Sequence, residues 1–143
     1  MKINDVLKAK ASTDVITISP DSTVRDLLRL LAEHNVGALI VSNDGSSVVG
    51  IVSERDVVRR LNEDEGVLSA PVQQIMTTMV ASCEGTDDVH ALMKLMTERR
   101  IRHVPVLSDG KLTGVISIGD VVKHRIDELE FERDQLDNYV HLG

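Results

Sequence analysis

Apolar and polar positions follow one another along the chain in a block that occurs twice. VITISPDSTVRDLLRLLAEHNVGALIVSNDG (15–45) aligns with VASCEGTDDVHALMKLMTERRIRHVPVLSDG (80–110) at a constant offset of 65. Past the Asp-Gly turns the offset falls to 64, because SSVVGIVS is one residue longer than KLTGVIS. Ahead of the blocks INDVLK (3–8) echoes VQQIMT (72–77), with four extra residues before Val15 in the first copy. Insertions fall only where loops are expected, so the pattern marks a duplication.

Each copy predicts strand, helix, strand, turn, strand, helix. In the first, VITI is a short strand, and Pro20-Asp21-Ser22 opens a helix whose Thr23-x-x-Asp26 has capping-box form. Val24, Leu27, Leu28 and Leu31 are expected on its inner face, and Gly37 falls just past its end. ALIV and VVGIVS flank the turn residues Asn43-Asp44-Gly45; VPVL and LTGVIS flank Ser108-Asp109-Gly110. Strands this uniformly apolar need cover on both faces. One copy cannot supply it, so the two are expected to pack sheet against sheet in pseudo-twofold symmetry. The expected fold is α/β: an intertwined pair of small sheets with flanking helices, plus a C-terminal helix. The expected units are 1–66, 67–124 and the tail 125–143, with Leu61–Thr78 as the link.

The last segment differs from the rest. Val122, Ile126, Leu129, Arg133, Leu136 and Val140 follow alternating steps of four and three, a coiled-coil-like stripe interrupted by one arginine. It either folds back on its own module or pairs across a dimer. Arg133 would then need an acid such as Glu130 or Asp137.

Composition narrows the class. A chain of 143 residues and 15.7 kDa can bury a core without metal or disulfide staples. The single cysteine, Cys83, cannot form an internal disulfide, and no apolar run approaches bilayer length. A cytoplasmic protein with no membrane association is expected. The net charge of −7 disfavours nucleic acid, though part of the excess is local: the tail 125–143 has two arginines against six acids, a net of −4. A confined basic pocket remains compatible with that balance.

The motif to explain is Ser53-x-x-Asp56, repeated as Ser117-x-x-Asp120, each between an apolar strand and a helix. A serine followed three residues later by an acid caps a helix. The same place, at the carboxyl end of a strand, suits phosphate and ribose, and a carboxylate can accept from both hydroxyls of a ribose diol. Both readings stand, and they are compatible. Arg55, Arg102 and His103 are candidates for phosphate; solvated surface charge is the other reading of the arginines.

The tandem repeat, the two copies of GIVSERDVV and GVISIGDVV, and the INDVLK and VQQIMT lead-ins resemble a cystathionine-β-synthase (CBS) domain pair, or Bateman module, over residues 3–124. The resemblance implies a pseudo-symmetric α/β pair whose clefts bind adenosine-containing ligands: AMP foremost, or ADP, ATP, NAD(H) or S-adenosylmethionine. It implies a ribose acceptor in each of Asp56 and Asp120, with Ser53 and Ser117 beside them. Gly37-Ala38 and Arg102-His103 would line the clefts and reach phosphate, backbone at Val15-Ile16 and Val80-Ala81 would face adenine, and Ser19 would stand at the end of the first strand. It also implies a homodimer and, with no enzyme attached, a separate regulated partner.

Because Gly37-Ala38 in one copy answers to Arg102-His103 in the other, the two half-sites are expected to be inequivalent. With one Phe, one Tyr and no Trp, adenine would lie between aliphatic side chains. Met93 and Met96 share helical spacing with Val89 and Leu92 and read as core. Cys83 aligns with Ile18, a buried strand position. His34, His90, His124 and His141 form no ligand-spaced cluster, and no nucleophile–base pair, phosphate loop or metal motif is present. The expected function is therefore a non-enzymatic adenine-nucleotide sensor; the alternative is an interaction protein whose Ser-x-x-Asp pairs are helix caps beside an empty cleft.

Overall fold

The computed structural model of the chain describes residues 1–10 and 15–142. The first repeat holds β1 (Thr17–Ile18), α2 (Val24–His34), β2 (Ala38–Val41), β3 (Gly50–Ser53) and α3 (Glu54–Glu63), preceded by the lead-in helix α1 (Ile3–Lys8). The second holds β4 (Cys83–Glu84), α4 (Val89–Arg99), β5 (His103–Ser108), β6 (Lys111–Ser117) and α5 (Ile118–Leu142). Short 3-10 turns at Glu65–Ser69 and Val72–Gln74 join them. Each repeat forms a three-stranded mixed sheet, β1-β2-β3 or β4-β5-β6, with one parallel and one antiparallel pairing.

Local chemistry explains the elements. Thr23 Oγ1 accepts from the Asp26 N–H at 3.1 Å and Asp26 Oδ2 accepts from the Thr23 N–H at 3.2 Å, so the capping box starts α2. Val24, Leu27 and Leu31 are buried beneath it. Leu28, expected with them, is exposed; it lies on the turn beside the stripe, and three inward residues already fill the contact. The hairpin β5–β6 closes on Asp109 and Gly110, both with positive φ as a two-residue primed turn requires. Met96 is buried and Met93 half-buried in the second core, alongside Cys83. Burial and the neighbouring Asp87 push the Cys83 thiol up to about 12, so it remains a thiol.

The two hydrophobic cores do not follow chain order. Val67, Val72 and Ile75 pack under the first sheet, whereas Ile3 and Val6 of α1 pack under the second. The backbone repeats the exchange bond for bond. The N–H groups of Ile3, Asn4 and Val89 donate to the carbonyls of Asp87, Gly85 and Met1 at 3.0, 2.9 and 3.0 Å. At the matching positions those of Val72, Gln73 and Val24 donate to Ser22, Pro20 and Ala70 at 2.7, 3.1 and 3.0 Å. Each lead-in therefore completes the opposite repeat, which is what intertwines them.

Helix α5 continues unbroken for 25 residues, about 37 Å at the usual rise. The tail extends the last helix of the second repeat and does not fold back on the module. Its apolar stripe, Val122, Ile126, Leu129, Leu136 and Val140, is exposed. Arg133 pairs with neither Glu130 nor Asp137 but with Asp134, at 3.4 Å. No described helix is long and apolar enough to cross a membrane.

Candidate functional site

Between the repeats lie two clefts related by the internal symmetry. Their positions follow from where the strands stop. The Gly37 carbonyl accepts from the Glu54 N–H at 3.0 Å, and the Arg102 carbonyl accepts from the Ile118 N–H at 2.8 Å. Each bond ties the start of a Ser-x-x-Asp helix to the residue that opens the middle strand of its own sheet, and each cleft takes its acid from one repeat and strand-end residues from the other.

The first cleft, about 510 Å³, is lined by Val15, Ile16, Val36, Gly37 and Ala38 of the first repeat and by His103, Val115, Ser117 and Asp120 of the second. The second, about 650 Å³, is lined by Val80, Ala81, Ile101, Arg102 and His103 of the second repeat and by Ile51, Ser53, Arg55 and Asp56 of the first. Both volumes suit a small-molecule ligand. Gly37, Ala38 and His103 border both clefts. Thirteen of the fourteen residues expected from the sequence thus fall on the two linings; Ser19 does not, and its hydroxyl instead accepts from the Asp21 N–H at 3.3 Å.

The paired acids are held as helix caps. Asp56 Oδ2 accepts from the Ser53 N–H at 2.8 Å and from the Ser53 hydroxyl at 3.1 Å. Asp120 Oδ2 accepts from the Ser117 N–H at 2.9 Å. Among the described residues neither Oδ1 takes a hydrogen bond, so each carboxylate can cap its helix and still offer one oxygen to the cleft. The linings are rich in aliphatic side chains: Val15, Ile16, Val36 and Ile40 in the first cleft, and Val58, Val80 and Ile101 in the second. Aliphatic side chains beside a carboxylate can hold a planar base with its sugar.

The charges differ. Arg55, Arg59, Arg100 and Arg102 border the second cleft, against Glu54 and Asp56. Lys8 and Lys10 border the first, and Lys10 Nζ is bonded to Asp120 Oδ2 at 3.0 Å and to the Val115 carbonyl at 2.9 Å. Burial pushes the Asp120 carboxyl upward, but the Ser117 backbone N–H and the Lys10 ammonium outweigh it and hold the group below its ordinary value. Burial pushes His103 below the ordinary imidazole value; Asp120 and Glu54 oppose that shift, and Lys10 and Arg102 add to it.

Sequence reasoning missed Lys10, Arg59 and Arg100. Arg59 lies one helical turn beyond Arg55, a spacing that signals a shared face. Arg100 sits at φ 55° where the first repeat has Asn35 at φ 51°, so the offset of 65 already pairs them. Among the described residues no group of three or more His, Cys, Asp or Glu side chains is placed to hold a metal ion.

Two intertwined α/β repeats with a cleft on either side of their pseudo-twofold axis define a tandem module. The family model of the CBS domain matches residues 3–63 and again 72–127, and the chain belongs to that family as a tandem pair. It is 36% identical over 149 aligned positions to the mitochondrial CBS domain-containing protein CBSX3 of Arabidopsis thaliana, covering 99% of this chain and 72% of that one. The crystal structure of the CBS-domain containing protein ATU1752 from Agrobacterium tumefaciens superposes with a TM-score of 0.83 at 38% identity, over 87% of this chain and 99% of that one. The CBS domain pair of protein MJ0100, crystallised with 5′-methylthioadenosine and S-adenosyl-L-methionine, shares the fold with a TM-score of 0.79 over 90% of this chain and 98% of that one, at 21% identity.

Proposed function

We propose that the chain is a non-enzymatic sensor of adenosine-containing ligands, with AMP foremost and ADP, ATP, NAD(H) or S-adenosylmethionine as alternatives. One observation carries the reading. Each cleft joins a Ser-x-x-Asp carboxylate from one repeat to aliphatic strand ends from the other, so a bound nucleoside spans both repeats. Asp56 and Asp120 take the ribose hydroxyls through Oδ1 while Oδ2 keeps the helix cap. Val80-Ala81 and Val15-Ile16 face the base, and Arg55, Arg102 and His103 receive phosphate. The adenosyl ligands of protein MJ0100 agree with this assignment; at that identity the likeness carries the fold alone, and the assignment rests on this chain's residues.

A ligand spanning both repeats favours one mutual arrangement of them, and a partner can read that shift. We place the sensor in the cytoplasm as a homodimer that buries the exposed stripe of α5, with its output delivered to a separate regulated protein. Mass spectrometry of nucleotide released from denatured purified protein tests the ligand; purified protein with neither bound adenylate nor adenylate affinity overturns the reading. The complete capping bonds at Ser53–Asp56 favour a second reading, an interaction protein whose acids only cap helices. That reading requires affinity for no adenosine compound at all.

A further inference from the structure

Besides the contrast of Gly37-Ala38 with Arg102-His103 and the arginines of the second cleft, the two clefts differ in their lead-ins. Aligning the lead-ins sets Lys8 against Thr77 and Lys10 against Met79. Met79 is 91% exposed and lines the rim of the second cleft. Lys10 instead turns inward across the first cleft, its ammonium 3.0 Å from Asp120 Oδ2 and 2.9 Å from the Val115 carbonyl, with side chains only 29% and 21% exposed. Asp56 faces no such cation: its Oδ2 is bonded to Ser53 alone among the described residues.

We propose that Lys10 is the specificity-determining residue of the first cleft, an internal cation paired with the carboxylate that a nucleoside sugar must share. The inference rests on the adenosyl reading of the clefts. An uncharged nucleoside that bonds Asp120 through Oδ1 shares a carboxylate whose charge the ammonium on Oδ2 already draws, and it offers that ammonium nothing in return. A ligand with phosphate offers the ammonium a second anion, which offsets the weakened bond to the sugar. The ammonium also has a second place to go. A recess of about 310 Å³ behind the pair is lined by Val6, Lys10, Asp120, Lys123, His124 and Asp127, where Asp127 is a second carboxylate. Lys10 thus makes the first cleft reject bare adenosine and accept phosphorylated adenosine, whereas the second cleft, with arginines at its mouth and an unencumbered Asp56, takes both.

The test isolates the first cleft in an Asp56→Asn background, which keeps an oxygen for the helix cap. Calorimetry then compares adenosine with AMP, with and without Lys10→Met, the residue its counterpart Met79 supplies. Lys10→Met should tighten adenosine about three- to tenfold, the range of a partly screened ion pair, and weaken AMP, narrowing the preference for AMP by about tenfold or more. Lys10→Arg should keep the preference. Lys10→Gln, which also removes the charge, serves if Lys10→Met lowers the melting temperature enough to disturb the fold. Unchanged or weaker adenosine binding in the charge-free variants overturns the inference and makes Lys10 a simple tether or phosphate contact. Adenylate binding by the parent but by no Asp56→Asn protein overturns it as well, since the first cleft then takes no adenosyl group. Adenylate binding by neither overturns the sensor reading itself, and the Lys10 inference with it.

Discussion

His103 stands against Gly37 across the pseudo-twofold axis: a methyl group on Gly37 would lie 3.7 Å from the imidazole Cε1. The two residues come from opposite repeats, and both clefts border them. The imidazole also feels charge from both sides, Asp120 and Lys10 in one cleft and Glu54 and Arg102 in the other. Its lowered pKa has a consequence for stability. Below 6.5 the unfolded chain takes up a proton that the folded chain resists, so stability falls as pH drops from 6.5 toward the folded value. Melting temperature followed across that window should fall on acidification, and His103→Ala, which copies Ala38, should flatten the slope. An equal slope in both proteins places the titration elsewhere.

Gly50 lets the second lead-in pass close beneath β3. A Cβ there would lie 2.9 Å from the Thr77 carbonyl and 2.7 Å from Met76 Sδ. Gly50→Ala should cost about 1–3 kcal/mol, the usual range for overpacking. Gly37→Ala, with only ordinary contacts around it, should be nearly neutral by comparison. Urea unfolding of the two variants gives the contrast directly.

Arg100 ends α4 in the left-handed conformation, which costs most side chains roughly 1–2 kcal/mol and glycine almost nothing. Part of that gain is lost to the greater freedom of glycine in the unfolded chain, so Arg100→Gly should raise stability by about 0.5–1 kcal/mol. If the guanidinium serves the second cleft, the same change weakens ATP more than adenosine. Denaturant midpoints and calorimetry together should show the two effects moving in opposite directions.

Asp56→Ala and Asp120→Ala each remove a proposed ribose acceptor, at about 1.5–3 kcal/mol in affinity for a bond to a charged group. Each also removes the acid's half of a capping box, leaving the Ser53 or Ser117 N–H without that acceptor, at about 0.5–1.5 kcal/mol in stability. Calorimetry on the folded variants separates the losses. Unchanged affinity in both leaves the acids as caps only.

Truncation after His124 removes Ile126, Leu129, Leu136 and Val140, all of the exposed α5 stripe but Val122, and leaves every lining residue of both clefts in place. Light scattering should show weaker dimerisation of the shortened chain, with adenylate affinity retained. A full-length chain that is monomeric at micromolar concentration removes the dimer from the proposal.

The repeat made much of this legible before any coordinates. The offsets of 65 and 64 locate both sheets, both Asp-Gly turns and both cleft acids, because duplicated residues with duplicated neighbours fold alike. What stayed hidden lies where the copies differ. Lys10 falls in the stretch that carries four extra residues in the first copy, so alignment gives its direction no support. Arg100 occupies a left-handed position that favours glycine or asparagine; its residue type hides this, and only the pairing with Asn35 at offset 65 points to it. Leu28 satisfies a helical stripe by type, yet three inward residues already fill the core beneath α2. The length of α5 follows from what is missing: neither glycine nor proline stands between Gly119 and Gly143 to stop it.

The exchanged lead-ins also bear on how the chain reaches this shape. Ile3 and Val6 are synthesised some eighty residues before the strands and helices they are buried with. During translation they must wait in solvent while the first repeat, itself short of Val67, Val72 and Ile75, stays unfinished. Neither half can close alone, so the contacts that fix the structure are long-range and folding should be slow for a chain of this size. Cutting the link should yield two fragments that are unfolded apart and regain structure when mixed, each lending the other its missing lead-in.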